Sequence, residues 1–377
     1  GSVVTDAVLE TKKIIKAAAK MNGEELAISK ERYTFEYPGS VQGFLKCGFN
    51  HGGMAEVDIS NLNETEEKNG LCVKCQHVAK GVTANISTQT FIDFSKLAAN
   101  FSTVASPTLY SSQKVYTTAY VKTEAGVRMR PYIIYYDIDN KEQVVYGEEQ
   151  NLSVQPKTYE WIVPDTGGMS IFKLGYQILS DSRFDGEVIL EKIDWSGAPT
   201  EFAQRGMLMT SIWNTNPLWL AGFASSATQF AADFKQTYCV SHIEEAGLVT
   251  IGSKEWKDYS VESTVYFARH EEGGLVVRSV GHKRYYAALM SRFDTAQIIV
   301  VKDDVRKVLA ETAYSYKEDQ GYCLNFSVSG NKLVFSIDGE KQLEVTDSMY
   351  KAGGAGFVIS KGTMTYEIWS NICSCYR

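Results

Sequence analysis

Apolar and polar residues alternate with a period of two along most of the chain from Glu31 onward. This alternation is typical of β-strands that bury one face. In the first half it predicts strands at 55–59, 71–78, 82–87, 114–123, 128–137, 158–163, 171–179 and 187–194. Turn-forming residues, among them Gly126 and Gly167, separate these runs. About eight strands at this regular spacing predict a jelly-roll sandwich.

The alternation stops at Ser196-Gly197-Ala198-Pro199 and resumes further along the chain. It then predicts strands at 236–243, 247–251, 259–268, 274–280, 285–292, 296–301, 307–314, 321–329, 332–337, 341–346, 355–360 and 364–370. Gly330 and Gly339 mark hairpin turns between them. On the order of ten antiparallel strands predict a second, larger sandwich. The domain boundary is therefore predicted near 196–203, and the chain divides into 1–30, 31–198 and 199–377.

The segment ahead of the strands carries the one strong helical period, at 4–21. Leu9 and Ile15 contribute to an apolar stripe, Asp6 can cap the first turn, and Gly23 follows the last. We expect this helix to dock on a sandwich or on a preceding domain.

Composition supports a β-rich chain and narrows the range of partners. A length of 377 residues fits two domains, and 22 Tyr with 17 Phe suit pleated, half-buried surfaces. The net charge of -7 and the lack of a Lys/Arg-rich run argue against nucleic acid and against an anionic membrane. The sequence contains no stretch of about 18 apolar residues, so no transmembrane helix is predicted.

Cysteine usage favours reduced thiols. Cys72 with Cys75, and Cys373 with Cys375, are spaced closely enough to suggest zinc ligands. The second spacing is wrong for a zinc knuckle, and no histidine lies beside it. Partly buried free thiols are the favoured interpretation, and they suit a cytoplasmic location.

Catalytic patterns are missing from the sequence. It contains no Gly-rich phosphate loop after a strand, no Gly-x-Ser-x-Gly elbow and no His-Glu-x-x-His. The five histidines are scattered without ligand spacing: His51, His77, His242, His270 and His282. No catalytic residue is therefore assigned, and we do not expect this segment to be an enzyme by itself.

Two carboxylates bracket the first sandwich. Glu36 follows its first strand, and Asp194 ends its last. The first and last strands of a jelly roll are neighbours, so two oxygen donors and nearby carbonyls could form a hard-cation shell that suits Ca²⁺. The alternative is a pair of solvated edge carboxylates. If present, the Ca²⁺ would be structural.

The second sandwich carries a candidate sugar-binding face. Alternation places Arg278 on a sheet face opposite Leu275, with Tyr286 one strand on. A guanidinium fork beside an aromatic ring suits sugars, because rings stack and hydroxyls take directional hydrogen bonds. The predicted ligand-binding residues are Arg278, Tyr286, Glu272, Tyr285 and Trp213. The alternatives are that the tyrosines are core or rim residues, that Arg278 pairs with Glu262 or Glu272, and that Trp213 and Trp219 pack in the core or the interdomain seam.

Several phrases of the sequence resemble the C-terminal region of bacterial ADP-ribosylglycohydrolase-family proteins. They are Tyr33-Thr34-Phe35-Glu36-Tyr37-Pro38-Gly39, Ser106-Pro107-Thr108-Leu109-Tyr110, Val163-Pro164-Asp165-Thr166-Gly167-Gly168, Ile193-Asp194-Trp195-Ser196-Gly197, Lys254-Glu255-Trp256-Lys257-Asp258-Tyr259 and Arg284-Tyr285-Tyr286. The resemblance covers nearly the whole chain.

The resemblance implies that the chemistry belongs to a missing N-terminal catalytic domain, all helical, with acidic clusters that hold paired Mg²⁺. Nothing in this sequence matches those clusters. It further implies that the first sandwich resembles a jelly-roll carbohydrate-binding module, in which a Glu and an Asp at the positions of Glu36 and Asp194 often bind Ca²⁺. The second resembles the concanavalin A/laminin-G-like group, which includes levan-binding modules and 3-keto-glycoside hydrolase-like domains.

The sequence as a whole thus predicts an all-β chain of two tandem antiparallel β-sandwiches, a jelly roll and then a concanavalin A-like sandwich, behind a short helix. We expect a non-catalytic glycan-binding region of a multidomain hydrolase, with carbohydrate as its partner. Two alternatives stay open. The second sandwich could cleave glycosides of the 3-keto-glycoside hydrolase-like type, with Glu262, Glu272 and Asp294 as candidates, or both sandwiches could be purely structural or dimerising.

Overall fold

A computed structural model describes residues 32–37, 39–46, 53–66, 68–89, 109–123, 126–137, 139, 141–197, 220, 222–232, 238–253, 255–318, 320–366 and 370–373. The predicted helix at 4–21, Trp213 and Trp219 lie outside these residues. Within them, the one named helical element is the 3-10 turn Leu62–Glu64, and Leu220 and Gly222 are further 3-10 positions. No helix of the described ranges is long and apolar enough to cross a membrane. The prediction of an all-β chain of antiparallel sandwiches is confirmed.

The described residues of the first sandwich form twelve strands. They are β1 Leu45–Lys46, β2 Gly53–Met54, β3 Glu56–Asn61, β4 Leu71–Val78, β5 Val82–Gln89, β6 Lys114–Val121, β7 Arg128–Tyr136, β8 Glu142–Tyr146, β9 Gln150–Asn151, β10 Lys157–Ile162, β11 Ile171–Leu179 and β12 Phe184–Ser196.

These strands form two sheets. Sheet I has the order β1-β5-β11-β7-β8, with β2 beside β5 and β9 beside β7, and sheet II has the order β10-β6-β12-β4-β3. All pairings are antiparallel except that of β2 with β5. Leu174 of sheet I and Val188 of sheet II belong to one buried core between the sheets. Every second residue of a strand therefore faces the other sheet.

In the part of the second sandwich that the structure describes, fifteen strands follow. They are β13 Ala224–Ser225, β14 Gln229–Ala232, β15 Tyr238–His242, β16 Gly247–Ile251, β17 Tyr259–Phe267, β18 Glu272–Gly281, β19 Arg284–Ser291, β20 Thr295–Lys302, β21 Val305–Ala313, β22 Gly321–Ser329, β23 Lys332–Ile337, β24 Glu340–Thr346, β25 Gly354–Ser360, β26 Gly362–Tyr366 and β27 Ser370–Cys373.

Two antiparallel sheets again face each other. Sheet III has the order β13-β16-β25-β18-β19-β20-β21, and sheet IV has the order β14-β15-β26-β17-β22-β23-β24, with β27 beside β17. Leu275 of sheet III and Val261 of sheet IV lie in the core between them. No described strand of sheets I and II lies after Ser196, and none of sheets III and IV lies before Ala224. The domain boundary near 196–203 falls mostly outside the described ranges and stays a prediction.

The two sandwiches contact each other through residues of the first that reach the core of the second. Tyr110 and Met169 are buried in the same cluster as Trp256. The Tyr110 ring centroid lies 5.2 Å from that of Trp256. The backbone N–H of Gly252 donates a hydrogen bond of 2.6 Å to the Tyr110 hydroxyl. The seam is therefore part of the second core.

The first cysteine pair cannot form a shared metal site in this strand. Cys72 and Cys75 are three positions apart on β4, so their side chains point to opposite faces. Cys75 packs in the sandwich core, whereas Cys72 packs on the outer face with Ile189 and Tyr120. Both are free thiols, and burial raises the pKa of Cys72 to about 11 and that of Cys75 to about 12. The favoured sequence interpretation, buried reduced thiols, agrees with this placement.

Candidate functional site

The outer face of sheet III carries a groove with a volume of ≈ 910 Å³. Alternation along the strands creates it: Leu275 and Val277 point into the core, whereas Val276 between them points outward. The groove floor is apolar and comes from β19, β20 and β25. Its members are Tyr285, Leu289, Ile299, Val301 and Val358. We call this surface the sheet III groove.

An exposed aromatic ring stands at the rim of the groove. Phe293 lies in the turn between β19 and β20 and is 64% exposed. The guanidinium carbon of Arg292 lies 4.9 Å from its ring centroid. Ile243, in the turn between β15 and β16, also lines the groove and is 76% exposed. Large apolar side chains that stay in water beside an apolar floor are suited to stacking against a ligand.

A charged pair spans the floor. Arg306 of β21 donates two hydrogen bonds to the Glu272 carboxylate of β18, and its Nη2 atom lies 2.9 Å from Glu272 Oε1. The same Nη2 donates to Gln297. Strands β19 and β20 lie between the two partners, so the pair bridges the sheet. A two-pronged guanidinium–carboxylate pair of this kind fixes the position of both groups.

Further charges border the groove, and acids outnumber bases. The lining carboxylates are Glu244, Glu245, Glu271, Glu272 and Asp304, and the lining cations are Lys283, Arg306 and Lys361. Glu271 pairs with both Arg292 and Lys361 at 3.1 Å, and Lys283 pairs with Asp304 at 2.6 Å. The groove is thus a mixed but net acidic surface.

The two histidines of the groove are held by threonines. His282 Nε2 lies 3.0 Å from the hydroxyl of Thr250, and burial lowers the pKa of His282. His242 Nδ1 accepts a hydrogen bond of 3.2 Å from the backbone N–H of Thr228. His282 is therefore neutral at pH 7 and adds hydrogen-bonding capacity without charge.

The structure places two of the predicted ligand-binding residues in this groove. Glu272 and Tyr285 both line it. Glu272 is paired with Arg306, and Tyr285 is a nearly buried floor residue, 3% exposed. Trp213, the fifth predicted residue, lies outside the described ranges.

Arg278 does not project from the outer face, so its predicted orientation is wrong. Its side chain is 2% exposed and donates to the carbonyls of Lys257 and Tyr350 and to the carboxylate of Asp258. The reason is an irregularity in the pairing of β18 between Val277 and Gly281, where Arg278 takes a φ of 48°. A bulge interrupts strict alternation, so the period-2 rule fails at this point.

Tyr286 is also directed inward. It follows Tyr285 on β19, and adjacent strand residues point to opposite faces. Its hydroxyl donates to Asp347 and accepts a hydrogen bond of 3.1 Å from the backbone N–H of Tyr350. Tyr286 has no exposed surface, so the core alternative is the one that the structure supports for it.

The carboxylates considered for glycoside cleavage do not share a site. Glu262 points outward from β17 of sheet IV and accepts a hydrogen bond of 2.9 Å from Asn325. Glu272 points outward from sheet III, on the other side of the core, and Asp294 lies in a turn with a φ of 56°. A glycosidase needs two carboxyl groups that flank one bond. Glu262 and Glu272, on opposite outer faces, cannot do this together.

The expected juxtaposition of the first and last segments of the first sandwich is present. Tyr33 and Ile193 form an antiparallel bridge. However, the Asp194 carboxylate accepts a hydrogen bond of 2.8 Å from Arg32. The carbonyls next to Glu36, those of Phe35, Tyr37 and Ser40, all accept hydrogen bonds from the Asn61 side-chain amide.

This arrangement does not fit a Ca²⁺ ion held jointly by Glu36 and Asp194. The Arg32 guanidinium donates a hydrogen bond to Oδ1 of Asp194, and the Asn61 amide donates to the carbonyls near Glu36. Among the described residues, no group of three or more His, Cys, Asp or Glu could hold a metal ion. The Ca²⁺ site stays a prediction.

Sequence reasoning missed Phe293 and Arg306. Phe293 could have been found from Arg292-Phe293-Asp294, because a large aromatic residue in a tight turn between two strands has no core to enter. Arg306 carries no such signal, since its contact with Glu272 depends on how three strands lie side by side.

Among solved structures, the chain is similar to the carbohydrate-binding module CBM66 from Bacillus subtilis, with 16% identity, 40% of this chain and 95% of that chain covered, and a TM-score of 0.38. It is similar to a Bacillus subtilis protein of unknown function with a galectin-like fold, with 14% identity, 48% and 99% covered, and a TM-score of 0.36. It is also similar to the N-terminal CBM22-1-CBM22-2 tandem domain from Paenibacillus barcinonensis Xyn10C, with 10% identity, 90% and 96% covered, and a TM-score of 0.29.

No protein-family model and no curated protein matches the chain. The resemblance to the ADP-ribosylglycohydrolase family therefore stays a prediction. At TM-scores below 0.5 the similar structures decide nothing about a ligand, and the proposal below rests on the groove itself.

Proposed function

We propose that this chain binds glycans through the sheet III groove, without cleaving them. The observation that carries the proposal is the exposed ring of Phe293 above an apolar floor that the Glu272–Arg306 pair crosses. A sugar ring has apolar C–H faces and a hydroxyl edge. The floor and Phe293 suit the faces, and the guanidinium–carboxylate pair suits the hydroxyls.

The charge of the groove favours neutral glycans. Five carboxylates and three cationic side chains line it, so an anionic polysaccharide meets net repulsion. A hydroxyl can donate to Glu272 and accept from Arg306 in the same site. We expect weak binding, because each hydroxyl exchanges water for protein at a net gain of only about 0.5–1.5 kcal/mol.

A glycan array followed by calorimetry on the best binder tests the proposal. Phe293→Ala is expected to weaken binding about tenfold, the equivalent of about 1.4 kcal/mol, through loss of ring contact. Glu272→Gln removes the charged acceptor and is expected to weaken binding as well. Met54→Ala is the matched control, because Met54 is 59% exposed and lies on the first sandwich.

The results of the array and of calorimetry distinguish the candidate functions. Specific binding without turnover that falls in the two groove variants supports the proposal. Turnover of a bound glycan supports the enzyme alternative, and binding to no glycan supports a structural role. Unchanged affinity in both groove variants places the site elsewhere.

An accessory role beside a hydrolase domain is part of the same proposal. It is supported by the segment 33–39 and the other segments quoted above, which resemble the C-terminal region of ADP-ribosylglycohydrolase-family proteins. The coding sequence upstream of Val3 tests it. A helical domain with paired acidic clusters there supports the role, and an unrelated domain overturns it.

A further inference from the structure

The first sandwich carries a cleft of its own, separate from the sheet III groove of the second sandwich. It has a volume of ≈ 390 Å³ and lies between the edge strands of the two sheets, β8 of sheet I and β10 of sheet II. Its walls come from 146–150 and from 159–162. The sheet III groove and this cleft share no residue. We call it the Trp161 cleft.

One aromatic ring, that of Trp161, is fixed in its wall. A Cβ atom added to Gly147 would lie 2.7 Å from Trp161 Nε1, so the indole rests directly on the glycine backbone. The Tyr146 ring instead packs on the outer face of sheet I, where the guanidinium of Arg130 lies 4.0 Å from its centroid and the Tyr132 ring lies at 5.9 Å. Rings that are positioned before a ligand arrives lose little conformational entropy on binding.

Polar groups are present at both the bottom and the mouth. Thr117 and Tyr176 line the bottom, where their hydroxyls lie 2.6 Å apart and are buried. At the mouth, Glu148 is exposed, and its carboxylate makes no hydrogen bond or ion pair with the described residues. The Trp161 indole N–H and the Gln150 side-chain amide likewise have no hydrogen-bond partner in the described ranges. The Glu148 carboxylate and the Gln150 amide are therefore available to a ligand, whereas the Nε1 edge of the Trp161 indole rests against Gly147.

The charged residues that line the cleft are both acidic. They are Glu148 and Glu160, and Lys114 pairs with Glu160 at 3.0 Å. Arg130 and Lys157 lie over the rings of Tyr146 and Tyr159 but are not lining residues. A phosphate, sulfate or uronate would meet unpaired negative charge, whereas a neutral hydroxyl donates to a carboxylate readily. The Trp161 indole adds a surface for the apolar C–H faces of a sugar ring.

We propose that the Trp161 cleft is a second, independent binding site for a neutral saccharide, so that the chain holds two sugar sites, one in each sandwich. The volume lies at the small end of ligand sites, which fits a short stretch of sugar and not a long chain. Two sites on one chain raise the apparent affinity for a polymer that can reach both.

Calorimetry with neutral oligosaccharides, using cello-, xylo- and mannohexaose as probes on the full chain, tests this inference. Trp161→Ala is expected to weaken binding at one site about tenfold and to leave unchanged a second site, which Phe293→Ala weakens. Glu148→Gln, at an exposed position, is expected to weaken the same site without affecting folding. Glu344→Gln, on sheet IV, is the matched control for a lost surface carboxylate.

Saturation-transfer NMR on the same samples shows which site each probe occupies. If Trp161→Ala does not fold, Glu148→Gln and Gly147→Ala carry the test, since a methyl group at Gly147 must displace the indole. The inference is overturned if every cleft variant that folds binds the probes as tightly as wild type. It is also overturned if Phe293→Ala binds none of the probes. Loss in Phe293→Ala alone supports the sheet III groove and rejects the cleft. Loss in Trp161→Ala alone does the reverse.

Discussion

Arg32 bonds Glu255 across the seam between the two sandwiches, with Nη2 2.8 Å from Oε1. Its Nη1 atom lies 2.8 Å from Asp194 Oδ1 in the first sandwich, and its guanidinium carbon lies 4.4 Å from the Trp195 ring centroid. All three charged side chains are half-buried. One guanidinium thus pairs with a carboxylate from each half of the chain, so the relative position of the two halves depends on these ion pairs.

The first prediction concerns the acid stability of this seam. Burial raises the pKa of Glu255, but hydrogen bonds from Ser253 and Arg32 outweigh it, so the pKa lies below its ordinary value of 4.5. A carboxyl with a lowered folded-state pKa stabilises the fold above about pH 4.3, and this stabilisation is lost as the pH falls through the folded-state pKa. Glu255→Gln is expected to be less stable than wild type at pH 7, with a smaller difference at pH 3.5.

Urea unfolding between pH 3.5 and pH 7 measures this difference. Glu344→Gln, which removes a surface carboxylate paired with Lys332 and Lys341, is the control. Parallel pH profiles for wild type and Glu255→Gln would contradict a charged role for the seam.

The second prediction separates stability from binding at Arg278. Arg278→Met is expected to destabilise the fold by about 3–5 kcal/mol, because it leaves a set of buried and partly buried acceptors without a donor. Arg284→Met is the control, since Arg284 is 53% exposed and its pair with Asp303 is a surface pair. Urea unfolding gives the stability, and glycan titration of the folded fraction gives the affinity.

We expect the affinity of folded Arg278→Met to equal that of wild type. A selective loss of affinity in a fully folded protein would restore Arg278 to the ligand site and contradict the buried position described above.

The third prediction is a pH dependence at His270. Its ring stacks on Phe267 at 4.2 Å and bonds the Tyr316 hydroxyl at 3.1 Å. Burial lowers the pKa of His270 from 6.5 to about 4. The unfolded chain therefore binds a proton between about pH 6.5 and pH 4 that the folded chain does not, so stability falls as the pH drops through this window.

His270→Gln is expected to flatten that part of the stability profile, although it is less stable than wild type at pH 7. His242→Gln, at a half-buried position in the groove, is the comparison. Thermal unfolding at pH 4.5, 5.5 and 6.5 provides the measurement, and equal slopes for wild type and His270→Gln would reject the prediction.

The fourth prediction concerns Ca²⁺. Because Asp194 already pairs with Arg32, we expect the unfolding temperature to be the same in Ca²⁺ and in EDTA. A rise of several degrees in Ca²⁺ that Glu36→Gln and Asp194→Asn both remove would instead establish the ion that the sequence predicts, with Arg32 displaced.

Strand positions follow closely from the sequence pattern, both where one face is buried, as in β22 and β23, and where both faces are buried, as in β11 and β16. The predicted runs 71–78, 171–179, 247–251, 321–329 and 332–337 coincide with β4, β11, β16, β22 and β23. Strands of two residues, such as β1 and β9, are too short to alternate and were missed. β8 was missed because Gln143 through Tyr146 are all half-buried, so the two faces do not differ.

The candidate site was predictable only in part. Alternation and the sheet order bring Glu272 and Tyr285 to one outer face, as the sequence pattern suggests. The reversal of Arg278 depends on a local bulge with a positive φ, which no residue pattern around it announces. Arg306 contributes to the groove because its side chain extends across β19 and β20 to Glu272. Period-2 reasoning locates a face, but bulges and long side chains decide which groups reach it.

Tyr110 and Met169 precede the linker in the sequence, yet they are enclosed with Trp256 in the interior of the later half. A protease nick in the connecting segment would therefore not release two independent pieces. The severed halves are expected to stay associated, and the later half made alone would be left with a gap where those two side chains belong.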